Sequence, residues 1–185
     1  MNQNIYRLIF NKTLGMLIPV AETTRRRSGK AKSGTVLLMT GLLATTAQAE
    51  LPVPCAGGSC GGAVPDFVSA GQANYHVHGP DAVVNQVGDK AILNWESFNV
   101  SPGHSVQFQQ VESLAAQNLV QGANFTTLNR VWDNDPSVIA GILSQAVGQN
   151  ANVILVNTNG IAFMGSSQVN LNSFTASSLD IHDNF

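Results

Sequence analysis

Residues 151–172 read ANVILVNTNGIAFMGSSQVNLN, and the texture of this stretch decides the fold class. Three alternating runs, 151–156, 161–163 and 168–172, are separated by corners of Asn, Thr, Gly and Ser. Alternation at period two sends successive side chains to opposite faces, which is strand geometry. The single Asn-Gly pair, Asn159-Gly160, follows Asn157-Thr158 in a longer polar corner, not in the two-residue loop that ties an antiparallel Asn-Gly hairpin. Three short strands and their corners within about twenty residues make one coil of a parallel β-helix, where inward Val, Leu and Ile stack on the next coil. A β-sandwich explains the alternation equally well, so periodicity alone leaves the two open.

Outward from this stretch the pattern repeats. Residues 91–100 (AILNWESFNV) and 104–111 (HSVQFQQV) alternate, with turn residues between them, which predicts an all-β body. One segment competes. In 135–147 (DPSVIAGILSQAV), Asp135 suits an N-cap, Pro136 suits a first helical turn, and Val138, Ile139, Ile142, Leu143 and Ala146 share a helical face. The same residues alternate through Ile139, Gly141 and Leu143. Residues 51–73 are rich in Gly, Pro and Ala and read as an irregular lead-in.

Charge divides the chain where the texture does. Residues 1–49 hold seven of the nine basic residues and one acid, a formal +6, whereas residues 50–185 carry −8. Behind the basic stretch lies an uncharged apolar run, 34–44 (GTVLLMTGLLA), then Ala47-Gln48-Ala49, a small-x-small site. A basic region, a short apolar run and such a site constitute a secretory signal, with cleavage expected between Ala49 and Glu50. A helix of about twelve residues spans only ~18 Å against a ~30 Å hydrocarbon core, which argues against a membrane anchor. The remaining body has 12 charged residues in 136 and is rich in Asn, Gln, Ser and Gly, a composition that fits stacked amide rows.

Cys55 and Cys60 stand in CAGGSC, just past the cleavage site. An oxidising periplasm favours a small disulfide loop. Metal binding with His76 and His78 is the rival, but C-x4-C with H-x-H matches no standard zinc spacing, and alternate residues of a strand point to opposite faces. No metal and no cofactor is expected, and no nucleic-acid partner.

The residues carry a family resemblance. Met1, Asn2, Ile5, Tyr6, Arg7, Asn11 and Glu22 resemble the extended signal-peptide region of large Gram-negative exoproteins. Asn94-Trp95-Glu96-Ser97-Phe98-Asn99-Val100, Val106-Gln107-Phe108-Gln109-Gln110, Leu128-Asn129-Arg130-Val131 and residues 153–163 are similar, in order, to blocks of the haemagglutination-activity, or two-partner secretion, domain of filamentous-haemagglutinin-like exoproteins. Thr175-Ala176-Ser177-Ser178-Leu179-Asp180-Ile181 continues the likeness. Three departures stand out: Thr158 replaces the proline of the family's Asn-Pro-Asn-Gly, Met164 intervenes before Gly165, and the family's Asn-Pro-Asn-Leu has no clear match, residues 124–126 being nearest.

The resemblance implies an all-β, right-handed parallel β-helix over residues 74–185, incomplete at its C-terminal end, after a cleaved leader (1–49) and a lead-in segment (50–73). On it, 135–147 is assigned to strand. It implies a secretion address, delivered by the Sec machinery and signal peptidase, recognised by the POTRA domains of an outer-membrane transporter, and nucleating β-helix folding outside the cell. The protein is thus expected to be secreted or held at the cell surface after passage through the periplasm. A host-cell surface would be met through a passenger beyond Phe185, since the family's domains continue through further coils. Asn157, Thr158, Asn159 and Gly160 are the first candidates for the recognition or turn motif, with Asn129 and Arg130 second. Turn building by the Asn residues outweighs direct contact. Arg130 is expected to pair with Asp133 or Asp135. The alternative is an adhesin that binds host glycans or receptors itself, with Trp95 and Trp132 as platforms, although a tryptophan in an alternating strand is more often core. An enzyme is not expected: Lys90 and Arg130 lie far apart, no tight carboxylate cluster exists, and no Gly-x-Ser-x-Gly frames a nucleophile.

Overall fold

The computed structural model describes residues 6–11, 16–21, 50–61, 64 and 66–181. They fall into two units, Met1–Thr45 and Thr46–Phe185. In the first, strands β1 (Tyr6–Asn11) and β2 (Met16–Ala21) pair antiparallel, with Tyr6 opposite Ala21. The apolar run 34–44 and Ala47 to Ala49 lie outside the described residues.

The second unit coils. Strand β5 (Asp81–Ser97) turns a corner at Gly88, whose φ of +81° suits glycine, and thereby serves two faces. On the first face, residues 81–86 pair in parallel with β6 (Ser105–Gln110), which pairs with β9 (Ile142–Gln145) and then β12 (Gln168–Asn170). On the second, residues 90–95 pair in parallel with β7 (Asn124–Val131), then β10 (Asn150–Asn157), then β13 (Ser173–Ser177). On the third, Val100 bridges to β8 (Ser137–Ile139), which pairs with β11 (Ile161–Phe163). The chain visits these faces in rotation, so the body is a parallel β-helix. Ser105 sits over Asp81, a step of 24 residues. Loop 111–123 lengthens the next coil.

Inward rows make the core: Ala82, Val106 and Leu143 stack on one face, and Leu93, Asn129 and Leu155 on the next, all buried. Residues 135–147, helical by local signals, form β8 and β9. Ser137 to Ile139 must stack on 161–163 and Ile142 onward on 105–108, and Gly141 turns the chain between them. A Cβ at Gly141 would meet the His104 carbonyl at 2.3 Å, so the backbone approach leaves no room for a side chain. Packing between coils outweighs a cap worth about 1 kcal/mol.

The lead-in is more ordered than its composition implies. Strand β3 (Val53–Pro54) and strand β4 (Val68–His78), which begins inside the segment read as irregular, both pair antiparallel with β5. Gly79 and Pro80 join β4 to β5 with Gly79 at φ +60°, a tight hairpin of the Gly-X kind that a search for Asn-Gly does not find. Strands β7 and β13 and the first half of β5 were also not legible as separate runs.

Candidate functional site

Asn157 closes β10 and is fully buried, while Thr158 and Asn159 are exposed. Asn157 Oδ1 accepts from the Asn159 amide at 2.9 Å and the Asn157 carbonyl accepts from the Gly160 amide at 2.9 Å, a four-residue turn held by an Asx bond. Gly160 stands at φ +108°, where a side chain is strained. The turn is bolted to the coil before it. Asn157 Nδ2 donates to the Asp135 carbonyl at 3.1 Å and to Ser137 Oγ at 2.9 Å, and Asn159 Nδ2 donates to the Asp133 carbonyl at 2.7 Å. Ser137 N donates to the Gly160 carbonyl at 3.0 Å. Beside this corner is a recess of about 200 Å³ lined by Arg130, Trp132, Asp133, Thr158, Asn159 and Asp180.

Asn129 and Arg130 neighbour that corner but do different things. Asn129 is buried within the core row; its Oδ1 accepts from Trp95 Nε1 at 3.0 Å and its Nδ2 donates to the Ile154 carbonyl at 3.2 Å. Arg130 does not take the partner expected for it. Its Nε pairs with Asp180 Oδ1 at 3.0 Å, and its Nη2 donates to the Ile181 carbonyl, which ties β7 to the segment after β13. Asp133 and Asp135 precede the turn into β8, and Asp133 Oδ1 caps the Asp135 amide at 3.2 Å. Asp180 lies fifty residues from Arg130 in sequence, so no local rule points to it.

The two tryptophans separate. Trp95 is wholly buried, edge-on to Phe67, Tyr75 and Phe98 with ring centroids 4.9, 5.0 and 5.2 Å away. It is core, not a platform. Trp132 is 45% exposed on the rim of the recess, its Nε1 donating to Asn94 Oδ1 at 3.2 Å. Amides stack along the coils: Asn172 donates to Asn152 and Asn152 to Asn124 at 2.8 and 2.9 Å, and Gln109, Asn85 and Asn74 form a second row with 2.6 and 2.7 Å bonds. Sequence reading expected such rows without naming their members; asparagine recurring at coil spacing is the signal. Cys55 and Cys60 form a disulfide with Cα atoms 5.6 Å apart, and the Cys55 amide donates to the Asn94 carbonyl. Among the described residues, no three His, Cys, Asp or Glu side chains gather as a metal site would require. His76 Nε2 lies 3.4 Å from Gln117 Nε2.

Residues 65–185 match the family described as TPS secretion domain, and residues 1–49 match the extended signal peptide of the type V secretion system. The chain belongs to the TPS secretion domain family. It is 28% identical to filamentous hemagglutinin of Bordetella pertussis and 26% identical to toxin CdiA of Yersinia pestis, each across 95% of this chain. It spans only 5% and 6% of those two proteins. The HMW1 secretion domain of Haemophilus influenzae is a structural neighbour, with a TM-score of 0.52 and 35% identity over 63% of this chain and 27% of that one. The β-helix is therefore a TPS secretion domain of the two-partner secretion exoproteins, a family of secretion domains and not of enzymes. Together with the extended signal peptide, it marks a protein secreted out of the cell through the periplasm.

Proposed function

We propose that this TPS domain is the address read by the POTRA domains of an outer-membrane transporter, and that its first coils then nucleate the β-helix outside the cell. The supporting observation is a division of labour at residues 157–160. Asn157 and Gly160 are committed to the turn and Asn159 bonds back to the Asp133 carbonyl, whereas Thr158 is exposed beside the recess. A partner strand can therefore meet that corner without disturbing the fold. Strand addition suits a low-charge chain whose affinity comes from main-chain bonds and whose specificity comes from alternate side chains. Folding propagates from coil to coil, since each coil contacts only its neighbours.

The leader is removed after Ala49, and Cys55 and Cys60 pair in the oxidising periplasm. The adhesin reading retains Trp132, the half-exposed ring on the recess, as its platform. A photo-crosslinker at position 158, in a chain co-expressed with its transporter, is expected to capture the POTRA domains. Crosslinks absent from 158 and present from a distant face such as Gln107 would move recognition off this corner. Binding of purified domain to glycans that is lost in Trp132→Ala would favour the adhesin.

A further inference from the structure

Residues 50–55 strap the first coil. The Glu50 amide donates to Ser101 Oγ at 3.0 Å, and the Ser101 amide returns a bond to the Glu50 carbonyl at 3.0 Å. Asn99 Nδ2 donates to Glu50 Oε2 at 3.0 Å, and Asn99 Oδ1 accepts from the Val138 amide at 2.8 Å. One side chain thus joins the strap to a corner of the first coil and to β8 of the second. Behind Glu50, Leu51 packs on the core, Val53 and Pro54 pair with β5, and Cys55 is buried in its disulfide. Glu50, Asn99, Ser101, Asp133 and Asp135 all line a cleft of about 1070 Å³.

We propose that this cleft is a binding site for the chain's own new α-amino group, so that leader removal completes a clasp across the first two coils. The proposal rests on cleavage after Ala49, as argued above. In the precursor the Glu50 nitrogen is a neutral amide with one hydrogen, already committed to Ser101 Oγ. Cleavage turns the same atom into an ammonium with three donors, charged near neutral pH because its ordinary pKa is about 7.7–8.0. It arises in a cleft walled by two aspartates, in a body whose basic side chains number two against ten acids. Glu50 and Asp135 are exposed and Asp133 is half-buried, so the attraction is that of a partly screened surface pair with two carboxylates acting on one ammonium. The two extra hydrogens offer further donors to the Asp133 and Asp135 carboxylates, of which Asp133 Oδ1 already accepts from the Asp135 amide.

Secreted protein purified from medium provides the test, with N-terminal sequencing first. Gly-Ser is then inserted between Ala49 and Glu50. The cleavage motif stays in place, but the ammonium moves two residues outward while the Glu50 side chain and carbonyl keep their partners. The insertion is expected to lower the thermal midpoint by about 3–5 °C and to raise hydrogen exchange at 99–101 and 138. In Asp133→Asn/Asp135→Asn the insertion should change nothing further; if that pair fails to fold, Asp135→Asn alone should reduce the insertion effect. A first residue other than Glu50 overturns the cleavage position and the clasp with it. Glu50 first, with equal midpoints for inserted and native chains, overturns the clasp alone, as does an insertion effect of undiminished size in the Asn variants.

Discussion

The first coil and the last described coil of this β-helix use the same three faces but are closed differently. Against the first coil, β4 and β3 cover the free edge of β5, and Phe67, Tyr75 and Phe98 surround Trp95. Against the last, among the described residues, β11, β12 and β13 carry one neighbour each, Phe163 and Val169 are 44% and 39% exposed, and the aromatic contact is one edge-on pair of Phe163 and Phe174 at 5.8 Å. A coil is therefore only as buried as the layers on both sides of it, as nearest-neighbour stacking requires. Among the described residues, β3 and β4 cover the first coil, and nothing comparable covers β11 to β13.

The largest expected break in this comparison is Trp95→Ala. It removes a wholly buried ring and the indole bond to Asn129, and should cost about 3–5 kcal/mol, against about 1 kcal/mol for Phe174→Ala, which is half-buried. Denaturant midpoints of the two variants check it; equal losses would mean the ends are equally closed. Next is Asn157→Asp. It withdraws the donors to the Asp135 carbonyl and Ser137 Oγ and buries a carboxylate, which should cost about 2–3 kcal/mol and sharply reduce secretion. Asn159→Asp, at an exposed residue with one such bond, should cost below about 1 kcal/mol, so any secretion defect there would come from partner contact. Surface levels against periplasmic accumulation separate the two.

Tyr75 sharpens the picture of the capped end. Burial pushes its phenol above the ordinary range, and among the described residues its hydroxyl has no hydrogen-bond partner. Tyr75→Phe should therefore stabilise by about 1 kcal/mol, read as a rise in thermal midpoint. The smallest effect is expected of Thr158→Pro. Position 158 is the second residue of a turn closed by the Asn157 carbonyl and the Gly160 amide, where proline fits, so the change should stabilise by about 0.4–1 kcal/mol. A loss instead would show that the Thr158 amide or hydroxyl matters to the corner.

Much of this was written locally. The alternation of 151–156 and 161–163 and the polar corner between them specify short strands, because strand faces and turn residues are properties of near neighbours, while the choice of β-helix over sandwich rested on the family resemblance in the blocks from Asn94 onward. The corner at Asn157–Gly160 was legible for the same reason. The leader was readable from charge and apolar length alone. What tertiary structure decided is whatever depends on register between coils. That includes Asp180 and not Asp133 or Asp135 as the partner of Arg130, and Trp95 held by Asn129; strand over helix at 135–147 came from the resemblance, against local signals, and stacking between coils is its physical reason. It also includes the Gly79-Pro80 hairpin that turns the lead-in into a cap. Each joins residues brought together by stacking, and the loop at 111–123 changes the coil length, so no fixed spacing along the chain predicts which residues meet. Local preference costs about 1 kcal/mol to override, and a buried row spanning three coils exceeds that.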